Sequence, residues 1–200
     1  MKVDVPFYRQ TMDFTCGAAS LLMVLSFFDR AFGMTKDAEI DIWREGTSVL
    51  VLGIGRYGLS LPLLKRGYRV NILTNVEGPE FLERIRRRIN AQQMKRFREL
   101  YMERQERAFR LGLVEERKSQ VELSDVSETL SLGGLPVLLS DAGALGDDEV
   151  PHWIVITGVE KGKIYFNNPL ADGVSSLPVS DFRKINGFRG EQAVVSAYSG

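Results

Sequence analysis

Helical and strand periodicities are segregated along this chain, and that segregation constrains its fold more than any other feature. In the first half, apolar side chains recur at helical spacing: Ala19, Leu22, Met23, Ser26 and Phe27 mark one face over 16–29, and Ala38, Ile42 and Trp43 another over 35–45, where Thr35 supplies an N-cap. Residues 56–66 read as a third helix despite Pro62, and 80–111 as a long amphipathic one that Gly112 ends. From 124 a helix capped by Ser124 runs to 132, and Gly133-Gly134 turns into a buried strand over 135–140. The remainder reads mainly as strands, at 152–159, 163–167 and 192–198; earlier strands are expected at 3–8, 48–52 and 68–74. Helices early and antiparallel strands late predict an α+β fold with one core. A chain of 200 residues can bury about two thirds of its unfolded surface in such a core. With no internal repeat and no linker, the expectation is one domain over 1–200, carrying a helical insertion at about 78–118.

Lys and Arg number 26 and so do Asp and Glu, so the molecule has no overall electrostatic bias toward nucleic acid or anionic lipid. The balance is global rather than local, because residues 80–118 hold twelve basic side chains against seven acidic ones, an excess of five. Glu99, Glu103 and Glu106 are interspersed there, which favours an internally paired, solvated helix face over a nucleic-acid surface. No apolar run approaches the ~20 residues that cross a bilayer, and the acid at Asp4 without an apolar core after it does not read as a secretion signal. Together with a single cysteine, this predicts a cytoplasmic protein without a membrane partner.

That cysteine, Cys16, falls in the first turn of the first helix, where Thr15 is a plausible N-cap. A thiol attacks carbonyls as thiolate, and helix-terminal N–H groups beside sulfur lower its pKa. The partner for acid/base work is the one histidine, His152, at the start of a predicted strand. A third group must hold the imidazole, and Asn168 is placed for it at the end of the next strand, with Asn167 as the competing candidate. Gln10, six residues before Cys16 across a turn, suits the role of oxyanion donor beside the Cys16 N–H. One cysteine and one histidine make no ordinary zinc site, so neither metal nor cofactor is expected.

These residues resemble a known family, the papain-like cysteine peptidases, and among them the bacteriocin-processing peptidases that cleave leader peptides after double glycine. Gln10 with Asp13-Phe14-Thr15-Cys16-Gly17-Ala18-Ala19 is similar to that family's glutamine and cysteine-glycine helix start, and Pro151-His152-Trp153-Ile154-Val155 to its histidine strand. Asn168-Pro169 stands where the family usually has aspartate-proline. Trp43-Arg44-Glu45, Gly58-Leu59 and Lys65-Arg66-Gly67-Tyr68 resemble a stand-alone branch, sometimes found beside ATP-grasp peptide ligases. The resemblance implies a papain-like α+β fold, with the nucleophile helix packed on a C-terminal antiparallel sheet. It also implies a Cys16–His152–Asn168 triad with Gln10 acting on a peptide or peptide-like substrate, and points to a ligase-linked pathway. Acyl transfer to an amine, or a non-catalytic peptide-binding module, are the alternatives, and oligomeric state is not legible.

Gly53-Ile54-Gly55-Arg56-Tyr57-Gly58 mimics a dinucleotide-binding turn, but no acid ends the following strand and no further βαβ unit follows, so a loop facing the active site is the better reading. Asp141, Asp147, Asp148 and Glu149 form an acidic approach to His152, which favours an imidazolium and positively charged substrates.

Overall fold

The computed structural model describes residues 1–47, 52–78 and 90–200. Seven strands form one sheet: β1 (Arg69–Thr74), β2 (Val114–Arg117), β3 (Leu135–Asp141), β4 (Pro151–Glu160), β5 (Lys163–Asn167), β6 (Val174–Pro178) and β7 (Ala193–Tyr198). Their order is β2-β1-β7-β3-β4-β5-β6, and every pairing is antiparallel except β1 with β2. Val137 lies opposite Val155 on one side and Val195 on the other, so the central strands are apolar on both faces and sit in the core.

Helix α1 (Cys16–Phe28) is buried from Cys16 to Ser26 and packs on β4. An apolar face all round is what a helix enclosed by other elements requires. Its enclosure comes from α2 (Lys36–Gly46) and α3 (Arg56–Lys65). Thr35 caps α2 by accepting from the Ala38 N–H at 3.2 Å. Helix α3 carries Pro62 in its interior, and the proline offers no N–H to the carbonyl of Gly58 one turn back. That carbonyl lies against Gly46 of α2, where a Cβ would sit 2.7 Å from it; a Cβ on Gly58 would in turn sit 2.2 Å from the Gly46 oxygen. The last glycine of the Gly53–Gly58 motif therefore serves helix–helix approach.

Helix α4 (Ala91–Arg110) packs on α3, and α5 (Leu123–Ser131) on β3 and β4; α6 (Phe182–Ile185) completes the helices among the described residues. The α4 surface pairs its charges, Arg96 with Glu99 and Glu103 and Arg110 with Glu106. No helix among the described residues is long and apolar enough to cross a membrane.

Several expectations need correction. Residues 3–8 form no strand; the N-terminus attaches to the β4 irregularity at Gly158 through an isolated Lys2 bridge and a Val3 N–H bond to Thr157 O of 2.8 Å. The long 80–111 helix does not run unbroken, because Asn90 is extended and starts α4 with a reciprocal capping box to Gln93. Its earlier part, like most of the 48–52 strand, lies outside the described residues. Glu122, not Ser124, caps α5, with Asp125 closing the box. Thr15 is no side-chain cap for α1: its hydroxyl donates back to the Met12 carbonyl at 2.9 Å.

Candidate active site

The first turn of α1 meets the start of β4. Backbone N–H groups of Trp153, Gly17 and Cys16 itself favour the thiolate form of Cys16, and one turn along the helix the Ser20 hydroxyl donates to the Trp153 carbonyl at 3.2 Å. The helix start is thereby tied to the residue that follows His152. Gly17 allows this closeness, since a Cβ there would come within 3.1 Å of Ile54 and 3.4 Å of the Trp153 ring. Trp153 is fixed in turn by its indole N–H, which donates to the Ile54 carbonyl at 2.8 Å.

His152 is 2% exposed. Its Nε2 lies 2.8 Å from Asn168 Oδ1, and the Leu170 N–H donates to the same oxygen at 3.0 Å. Two donors on one atom mark it as the amide oxygen, so Nε2 carries the ring proton and Nδ1 is the nitrogen left to accept one. Asn167 is turned elsewhere: its amide donates to the Val5 and Pro6 carbonyls and touches the Met23 sulfur. Of the two asparagines, Asn168 is the one on the histidine.

Gln10 is drawn to the same corner, its backbone N–H donating to the Pro169 carbonyl at 3.0 Å. Its side-chain amide donates to Met12 O at 2.8 Å, which occupies one of two amide hydrogens, while its own oxygen is buried without a partner. A residue without a sequence signal holds this loop. Glu39 of α2, at 0% exposure, accepts from the Thr11 N–H, the Thr11 hydroxyl and the Tyr8 hydroxyl. Burial beside that carboxylate pushes the Tyr8 hydroxyl up to about 12, so Tyr8 stays a donor. An acid at a helical position that reads as solvent-facing carries no mark of such a role.

The electrostatics of the thiol depart from the helix-terminus argument. Burial pushes Cys16 up from its ordinary 9.0 and outweighs the three N–H groups that pull it down. Burial likewise pulls His152 down from 6.5, against the Asn168 bond and the charge of Asp147, which push it up. Both shifts favour neutral forms, a protonated thiol and a neutral imidazole. Of the four acids before His152, Asp147 acts on the ring; Glu149 instead pairs with Arg189 at 2.9 Å, and Asp141 caps the Gly143 N–H at 2.9 Å. We expect the rate of Cys16 alkylation by iodoacetamide, read by intact mass, to climb with pH and not to have levelled off at 9.0, the ordinary thiol value; a plateau already present at neutral pH would show a preformed thiolate.

A cleft opens from Cys16, walled by Ile54, Tyr57, Phe97, Tyr101, Trp153 and Phe188 among others. Gly53, Gly55 and Gly58 line it too, as the loop reading of that motif expects. Among the described residues no group of three His, Cys, Asp or Glu side chains is placed to hold a metal ion.

With this arrangement in view, the family comparison is decisive, because the model of the Peptidase_C39 like family matches residues 5–198. The chain belongs to the Peptidase_C39-like family. Its fold is similar to a crystal structure described as a candidate C39-like peptidase from Bacillus anthracis, with a TM-score of 0.57 over 100% of this chain and 98% of that one. At 14% identity that likeness speaks for the fold alone, a papain-like α+β arrangement with an antiparallel-dominated sheet. No curated protein matches the sequence. In this member of the C39-like family, α1, with Cys16 in its first turn, packs on β4, and β4 carries His152 with Asn168 bonded to its ring.

Proposed function

We propose that this C39-like protein is a cytoplasmic cysteine peptidase or amidohydrolase built as one domain, with α4 as part of an insertion. The observation that carries the reading is the 2.8 Å His152 Nε2–Asn168 Oδ1 bond at the start of β4, the strand on which the Cys16 helix packs. In the proposed reaction the Cys16 sulfur attacks the substrate carbonyl carbon as its proton passes to His152 Nδ1. The oxyanion forms near the Cys16 N–H and the second hydrogen of the Gln10 amide. His152 then returns the proton to the departing amine, leaving a thioester. Water, deprotonated by His152, releases the acid and restores the thiol. Because burial favours the neutral form of both groups, the proposed mechanism has the imidazole act as a general base at the moment of attack rather than as half of a standing ion pair.

The same burial of Cys16 is the observation that favours the second reading, a peptide-binding module without turnover. A complex peptide mixture digested by the wild type and by Cys16→Ser separates the two. New termini with the wild type alone support hydrolysis, and products with an added amine in place of water support acyl transfer. Identical mixtures sink both catalytic readings.

A further inference from the structure

We infer that the cleft beside Cys16 is a specificity pocket for one large apolar side chain, aromatic or long aliphatic, close to the carbonyl under attack. The inference deepens the peptidase reading and rests on it for the word substrate; the pocket itself is a matter of geometry. The space measures about 110 Å³, of the order of the ~150 Å³ cavity that holds benzene in a protein core. Its walls are aromatic and aliphatic on several sides: Phe97 and Tyr101 from α4, Tyr57 from α3, Trp153 from β4, and Ile54 and Phe188 from loops.

The charged groups at its margin are engaged already. Arg56 is 5% exposed, faces Glu191 at 3.5 Å and Glu115 at 3.8 Å, and stacks over Tyr57 at 5.0 Å. Arg104 donates to the Thr47 carbonyl. A charged substrate group would have to shed its water to enter a space walled mainly by aromatic and aliphatic side chains, so the pocket selects against it. Glycine would leave the space unfilled and forgo the burial energy. The double-glycine preference implied by the bacteriocin-processing resemblance is therefore not what this cleft is shaped to reward.

The test uses the fact that Cys16 is the only thiol in the chain. Alkylation of the full-length protein by iodoacetamide and by N-(2-phenylethyl)iodoacetamide is followed by intact mass, each rate divided by that of glutathione. A pocket of this kind raises the phenylethyl probe over the plain one by at least about 10-fold. Phe97→Ala removes a wall, and Gly55→Trp adds bulk at a position where a Cβ meets nothing within 4 Å; both are expected to pull that ratio toward one. A wild-type ratio near one, or a high ratio that neither variant moves, overturns the pocket. In parallel, cut sites from the peptide mixture should show leucine, phenylalanine or tyrosine enriched beside the cleaved bond, and enrichment of glycine or charge overturns the substrate class. A high ratio without any cleavage leaves the pocket standing and removes the peptidase reading, so the two failures are distinguishable.

Discussion

Replacing His152 by alanine is expected to lower turnover of a cleaved peptide by about 100- to 10,000-fold, the range over which a positioned acid/base acts. Cys16→Ala should leave background hydrolysis only, since no second thiol exists to form the thioester. Asn168→Ala keeps every reacting atom but frees the ring from its 2.8 Å tether, and misplacing a catalytic group in this way costs about 100-fold. Gln10→Ala removes one oxyanion donor, with a loss of about 100- to 1000-fold in kcat. The informative measurement is the double variant. If Asn168 acts only through the imidazole, adding Asn168→Ala to His152→Ala changes kcat/KM little beyond the single loss, because residues working as a unit are not additive. Full multiplication of the two losses would show that Asn168 has a different task, and a wild-type rate in His152→Ala would remove the general base from the mechanism.

The parts of this site that were legible in the sequence are those where residue type alone limits the choice. A chain with one thiol and one imidazole can place them together or apart, and flanks such as Cys16-Gly17 and His152-Trp153 carry a packing reason for placing them together. The choice between Asn167 and Asn168 was not legible, because neighbours in sequence at a strand end differ only in which way each side chain leaves the backbone. Nor was the direction of the thiol's pKa. The helix-terminus argument counts local N–H groups, whereas burial by Trp153, Ile54 and the rest of the fold is a tertiary property that outweighs them. Strands β2 and β6 escaped for a related reason. Val114–Arg117 is an edge strand carrying three charges, and Val174–Pro178 an edge strand whose outward positions are exposed, so neither shows the apolar signature of a buried strand. The helix start at Asn90 was within reach, since Asn90 followed three residues later by Gln93 is a capping-box pattern that the continuous apolar periodicity across 80–111 overrode.

Arg56→Met is expected to be the most destabilising exchange outside the core proper, at about 3–5 kcal/mol, the cost of removing one partner from a buried ionic group. Arg56 sits at the first position of α3, and its side chain is 4% exposed between Glu115 on β2 at 5% and Glu191 before β7 at 12%. It therefore joins a helix to two separate stretches of the sheet region, with Tyr57 and Tyr101 over its guanidinium at 5.0 and 5.7 Å. Without it, Glu115 keeps Arg117 at 3.8 Å as its ion-pair partner among the described residues, and its buried charge loses the guanidinium that joined it to α3. Urea unfolding of the wild type and of Arg56→Met reads the loss directly. Adding Glu115→Leu to Arg56→Met should recover stability, since apolar replacement of a buried ionic pair is near neutral where its half-removal is costly. Equal, additive losses in the single and double variants would mean that the cluster holds the fold by packing rather than by charge.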